Sequence, residues 1–95
     1  MTLFWSPEAL QDLKDIRAYI SQDDPTAAKT VVARIVAFVR EQLPTNPEIG
    51  RIGRVSGTRE LVISNTPFVI PYRVRDEDID ILRVYHAARM WPEQY

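Results

Sequence analysis

The chain has 95 residues, 45% of them hydrophobic and 26% charged, with a net charge of −1, the composition of one ordinary globular domain spanning residues 1–95. Cysteine is absent and histidine occurs once, so disulfides, thiolate catalysis, the usual structural zinc sites and a multi-histidine metal centre are all excluded, and no cofactor is expected. The near-neutral charge gives no bulk attraction to nucleic acid, and the longest apolar stretch, VVARIVAFV, is short and broken by Arg34, so a cytosolic protein without a membrane span is expected.

Thr2 to Trp5 is a short β-favouring run, expected to add a strand to the edge of a later sheet. Ser6-Pro7-Glu8 then opens a helix, with a capping hydroxyl, proline at the first helical position and an acid where the helix dipole favours it. Leu10, Leu13, Ile16 or Arg17, and Ile20 recur at helical spacing and are expected to mark its buried face. Asp24-Pro25 repeats the opening for a second helix, in which Ala28, Val31, Val32, Ile35, Phe38, Val39 and Leu43 form a broad apolar stripe ending at Pro44. The two together predict a helical hairpin.

Residues 44–58 hold all three glycines and are expected to be a loop, with Arg51 and Arg54 as a basic edge. The glycines do not make a phosphate-binding loop, because no strand precedes them, no helix follows and no lysine is paired with Ser or Thr.

Three runs follow, RELVI, FVIPYRV and IDILRVYH, separated by SNTP and RDED, which is turn chemistry between segments of strand composition. They predict a three-stranded meander. Alternation puts Val62, Ile70, Tyr72, Val74, Leu82 and Val84 on one parity, expected to be the core face. The other parity carries Arg59, Leu61 and Ile63, then Val69, Pro71 and Arg73, then Ile81, Arg83 and Tyr85. One arginine per strand on an otherwise apolar surface suggests a partner, with a merely solvated outer face as the alternative.

The tail from Ala87 to Tyr95 is interrupted by Pro92 and offers Arg89 and Trp91 as residues able to contact a target. Acid–base chemistry could come only from His86, with Glu48 or Glu60 as partner and Arg73, Arg83 or Arg89 as a phosphate clamp.

Three segments, PEIGRIGRVSGTRELVI, PFVIPYRV and IDILRVYHAARMWP, in this order after a capped helical hairpin, resemble the ParE branch of the RelE/ParE toxins of type II toxin–antitoxin systems. The resemblance implies an α+β fold of order β-α-α-β-β-β, with an antiparallel helical hairpin packed on one face of a small antiparallel sheet. It also implies a ParD-like antitoxin that wraps the toxin in a hetero-oligomer, and a role in plasmid stabilisation. Antitoxin contacts are then expected at Arg59, Leu61, Val69, Arg73, Ile81 and Arg83, and target contacts at Arg89 and Trp91. ParE-like members poison DNA gyrase, whereas RelE-like members cut mRNA on the ribosome. The ribonuclease alternative would use Arg73, His86 and Glu48, but the loop lacks the lysines of that pattern, which favours the non-enzymatic gyrase toxin.

Overall fold

Both helices begin where the cap chemistry puts them. Ser6 is extended and its Oγ accepts the Ala9 N–H at 3.0 Å, with Pro7 opening α1 (Pro7–Ser21). Asp24 does the same for the Ala27 N–H at 3.0 Å, with Pro25 opening α2 (Pro25–Gln42). The computed structural model describes residues 1–88. Six strands complete it: β1 (Thr2–Trp5), β2 (Arg51–Ile52), β3 (Arg59–Val62), β4 (Phe68–Arg75), β5 (Asp78–Ile81) and β6 (Tyr85–His86).

The strands form one sheet in the order β1-β5-β4-β3-β2, with β6 continuing beyond β5 along β4. This is the expected α+β arrangement, with two differences of detail. The chain crosses over through both helices before β1 finds its partner, so β1 runs parallel to β5 and the sheet is mixed. Within the stretch expected to be loop, Arg51 and Ile52 pair with Glu60 and Arg59 as the short strand β2. The hairpin covers one face: Ala9 and Leu13 of α1, and Ile35 and Val39 of α2, pack with Leu43 against Leu61, Ile63, Ile70, Tyr72, Ile79, Ile81 and Val84. Neither described helix is long and apolar enough to cross a membrane.

The expected division of the sheet into faces has the right parity for β4, where Ile70 and Tyr72 are buried but Val74, expected with them, is 38% exposed, and it is reversed for β3 and β5. Leu61 opposes Ile70 and Arg59 opposes Tyr72, and opposed residues share a face, so odd positions of β3 stand with even positions of β4. The same inversion occurs across the Asp76-Glu77 turn, where Arg75 opposes Asp78 and Tyr72 opposes Ile81. The opposed pairs that close the two turns, Ile63 with Phe68 and Arg75 with Asp78, enclose four and two residues, and an even number flips parity. Leu61 and Ile81 are therefore core residues, 3% and 0% exposed, while Val62 is 47% exposed on the opposite face.

A one-residue slip then separates β5 from β6. Tyr72 opposes Ile81, yet Val69 opposes Tyr85 and Phe68 opposes His86, so one extra residue is accommodated between Ile81 and Tyr85. This bulge turns Val84 into the core at 2% exposure, while β6 places Tyr85 on the outer face beside Val69 and His86 on the helix side beside Phe68.

Tyr72 holds the loop before β2 against the sheet. Its hydroxyl donates to the Pro47 carbonyl at 2.7 Å and accepts the Gly50 N–H at 2.9 Å. Burial raises its pKa above the usual tyrosine value, with the Gly50 hydrogen bond opposing the shift. Gly50 is required here by space: a Cβ on it would lie 2.6 Å from Cε1 of Tyr72.

Candidate functional site

A carboxylate on the buried face of α1 organises the end of the sheet. Asp12 is 6% exposed, and its Oδ2 accepts from Arg83 Nε at 2.8 Å and from the Val84 N–H at 2.9 Å. Its Oδ1 accepts from Arg83 Nη2 at 3.0 Å, completing a bidentate pair. The hydrogen bond to Asp12 raises the Arg83 pKa, against the opposing effect of desolvation. The guanidinium also lies over the Tyr85 ring, 4.8 Å from its centroid. Asp12 thus fixes both the side chain and the backbone of the bulge that leads into β6.

Beside this latch lies a groove of about 740 Å³, between the helical hairpin and the β3–β4 turn. Ile16, Ile20 and Val31 from the helices, with Phe68 and Val84 from the sheet, give it an apolar lining. Asp12, Asp15, Arg34 and His86 add charged and polar groups of both signs. Such a groove suits a segment that carries apolar side chains on one face and polar ones at its margins.

His86 packs edge-on against Phe68, with ring centroids 5.9 Å apart, and its Nδ1 accepts the Ala88 N–H at 3.1 Å. It is exposed and on the helix side of the sheet. Arg73 stands five residues along β4, about 17 Å of extended chain away, and on the opposite face. Glu48 is in the loop at the Tyr72 end, where its backbone carbonyl accepts from Arg59 at 3.3 Å. The three residues of the ribonuclease alternative are therefore dispersed rather than gathered. Glu60, the other possible partner of His86, is also committed: its carboxylate is 1% exposed and holds Arg51 at 3.0 Å and the Arg54 N–H at 2.9 Å.

The six positions expected to meet an antitoxin do not form one face. Leu61 and Ile81 are in the core, and Val69 lies on the outer face but is 3% exposed, so none of the three offers a free apolar contact. Arg59 donates to the Gly50 carbonyl at 2.9 Å and Arg83 is held by Asp12. Arg73 opposes Asp80 in register, but Asp80 pairs with Arg75, and Arg73 has no side-chain hydrogen bond or ion pair among the described residues. Arg89 and Trp91 lie outside the described residues. The Asp12 latch went unanticipated; its signal is an acid on the Ala9–Leu13–Ile16 face of an amphipathic helix, where solvent alone cannot satisfy it.

Residues 3–91 match the family described as "ParE toxin of type II toxin-antitoxin system, parDE". The chain belongs to this ParE toxin family. The ParE-family chain is 48% identical over 89 residues to a Sinorhizobium fredii protein named "Putative toxin Y4kP", covering 94% of this chain and 91% of that one. It is 41% identical over 86 residues to "Toxin RelE2" of Caulobacter vibrioides, covering 90% and 94% of the two chains. Among solved structures it resembles a chain of the chromosomal ParDE TA system from P. aeruginosa, with a TM-score of 0.79, 35% identity, and coverage of 90% and 95%. The match extends over both the helical hairpin and the sheet, so the groove and the latch lie within the shared ParE fold.

Proposed function

We propose that this ParE-family toxin acts in the cytosol by binding DNA gyrase and trapping its cleaved DNA, and that a ParD-like antitoxin neutralises it in a hetero-oligomer. The observation that carries this reading is the dispersal of His86, Arg73 and Glu48. Acid–base cleavage needs its groups within roughly 2.6–3.2 Å of the atoms that exchange protons, or one water further. His86 and Arg73 are on opposite faces and separated by most of β4. A toxin that works by binding makes no such demand on them. The antitoxin's C-terminal segment would lie in the groove between the hairpin and the β3–β4 turn, its apolar face on Ile16, Val31 and Phe68. The chromosomal ParDE neighbour supports a partner of that kind.

The test is expression of the chain in growing cells, with the DNA-damage response followed beside primer-extension maps of translated messages. DNA damage with no new message ends is expected, and His86→Ala should retain toxicity. Discrete cuts within codons, lost in His86→Ala, would overturn the gyrase reading in favour of the ribosome-dependent endoribonuclease.

A further inference from the structure

The open edge of the sheet at β2 combines three features that the toxin reading leaves unused. The first is backbone. Gly53 donates to Thr58 O at 2.8 Å, and antiparallel pairs alternate, so the neighbouring Ile52–Arg59 pair is of the non-hydrogen-bonded type. Ile52 consequently turns its N–H and C=O away from β3, toward the side of β2 on which no further strand pairs among the described residues. The second is apolar surface. Ile52 is 76% exposed, and with Val74, at 38%, it lines a shallow groove of about 280 Å³ whose other walls are Gly57, Thr58 and Arg59.

The third feature is charge. Arg51, Arg54 and Arg59 lie at the edge, with Arg73 of β4 reaching the Gly57 turn behind it, against the carboxylates of Glu48 and Glu60. Glu60 is buried and holds both Arg51 at 3.0 Å and Arg54 at 3.8 Å, whose side chains still keep 54% and 48% exposure. The charge that reaches solvent at this edge is thus positive. A positively charged edge repels a second copy of itself, a common protection against edge-to-edge pairing, yet it admits a strand of opposite sign.

We infer that the β2 edge is a strand-addition site for an acidic, extended segment of a partner protein. The incoming strand bonds to the Ile52 N–H and C=O, sets an apolar side chain beside Ile52 at the rim of the groove that Val74 lines, and meets the arginines with its carboxylates. Nucleic acid would satisfy the arginines but has no use for the exposed isoleucine or its outward-facing backbone pair. The site is separate from the helix–sheet groove, so its failure leaves the gyrase and antitoxin reading standing.

The experiment is an amide NMR titration of the whole chain with a synthetic peptide of alternating aspartate and valine, beside its lysine–valine counterpart. The acidic peptide should perturb Ile52, Gly53 and Arg59 and slow exchange of the Ile52 amide. Ile52→Pro, tolerated where the N–H faces solvent, should weaken binding about tenfold by removing the donor. Ile52→Ala keeps the donor and should weaken it roughly threefold through lost contact, so the inference stays testable if the proline variant misfolds. Equal binding of the lysine peptide, or perturbations confined to the groove around Val31 and Phe68, would overturn the proposal. So would Ile52 shifts that depend on protein concentration alone, which mark a second copy, or shifts produced by oligothymidylate but not by the acidic peptide.

Discussion

Asp12→Ala should be among the most damaging single changes on α1, and the structure shows why. The carboxylate accepts three hydrogen bonds, two from Arg83 and one from the Val84 N–H. Removing it strands the Val84 N–H in a residue 2% exposed, at about 1–3 kcal/mol. It also leaves the Arg83 guanidinium unpaired, although that side chain keeps 30% exposure and can be partly rehydrated. The expected loss is therefore roughly 3 kcal/mol, toward the low end for a broken buried pair. Arg83→Met should cost a similar amount, since it leaves a carboxylate that is 7% exposed with a single donor. Urea unfolding of the parent, both single variants and the double variant gives the coupling energy. The double variant should lose clearly less than the sum of the singles. Additive losses, or an Asp12→Ala variant within about 0.5 kcal/mol of the parent, would refute the latch.

Ile35→Ala removes a fully buried side chain at the centre of the hairpin–sheet contact and should cost about 2–5 kcal/mol, measured by the same urea melts; parent-like stability would contradict the packing. Tyr72→Phe should cost roughly 1–3 kcal/mol at neutral pH, because the Gly50 N–H loses its acceptor and the Pro47 carbonyl its donor. The difference should also depend on pH. Burial raises the folded-state pKa of Tyr72 above its unfolded value near 10, so its contribution is present below that pH and is lost as pH rises through the folded value. The gap between parent and variant should narrow in melts above pH 10. A constant gap would show that the hydroxyl does not titrate in the folded state as described.

Much of the fold was legible because local chemistry decided it. Ser6-Pro7 and Asp24-Pro25 cap the helices as their side chains require, and the strand-forming runs bounded by SNTP and RDED became β3, β4 and the β5–β6 pair. Which residues share a face was not legible, because parity carries along one strand only. The turns at Asn65 and Asp76, both with positive φ, connect opposed pairs through an even number of residues and exchange inside for outside. Leu61 and Ile81 were thereby placed on the wrong surface. The bulge after Ile81 then restored Val84 to the core, so a residue of that last run was rightly expected to be buried although the path to it differed. Asp12 escaped notice, and Glu60 was given an acid–base role in place of a structural one, for a common reason: a buried carboxylate is justified by donors from distant segments, Arg83 in one case and Arg51 in the other.

The proposed action on gyrase can be reconstituted from purified components. DNA gyrase, ATP and supercoiled plasmid are incubated with the chain, and trapped cleavage complexes are released with detergent and protease. A gyrase-trapping toxin should make linear plasmid accumulate with increasing dose, and the product should disappear when a ParD-like antitoxin is added first. Unchanged supercoiling and no linear product at saturating toxin, while the same preparation cuts ribosome-bound message at discrete codons, would contradict it.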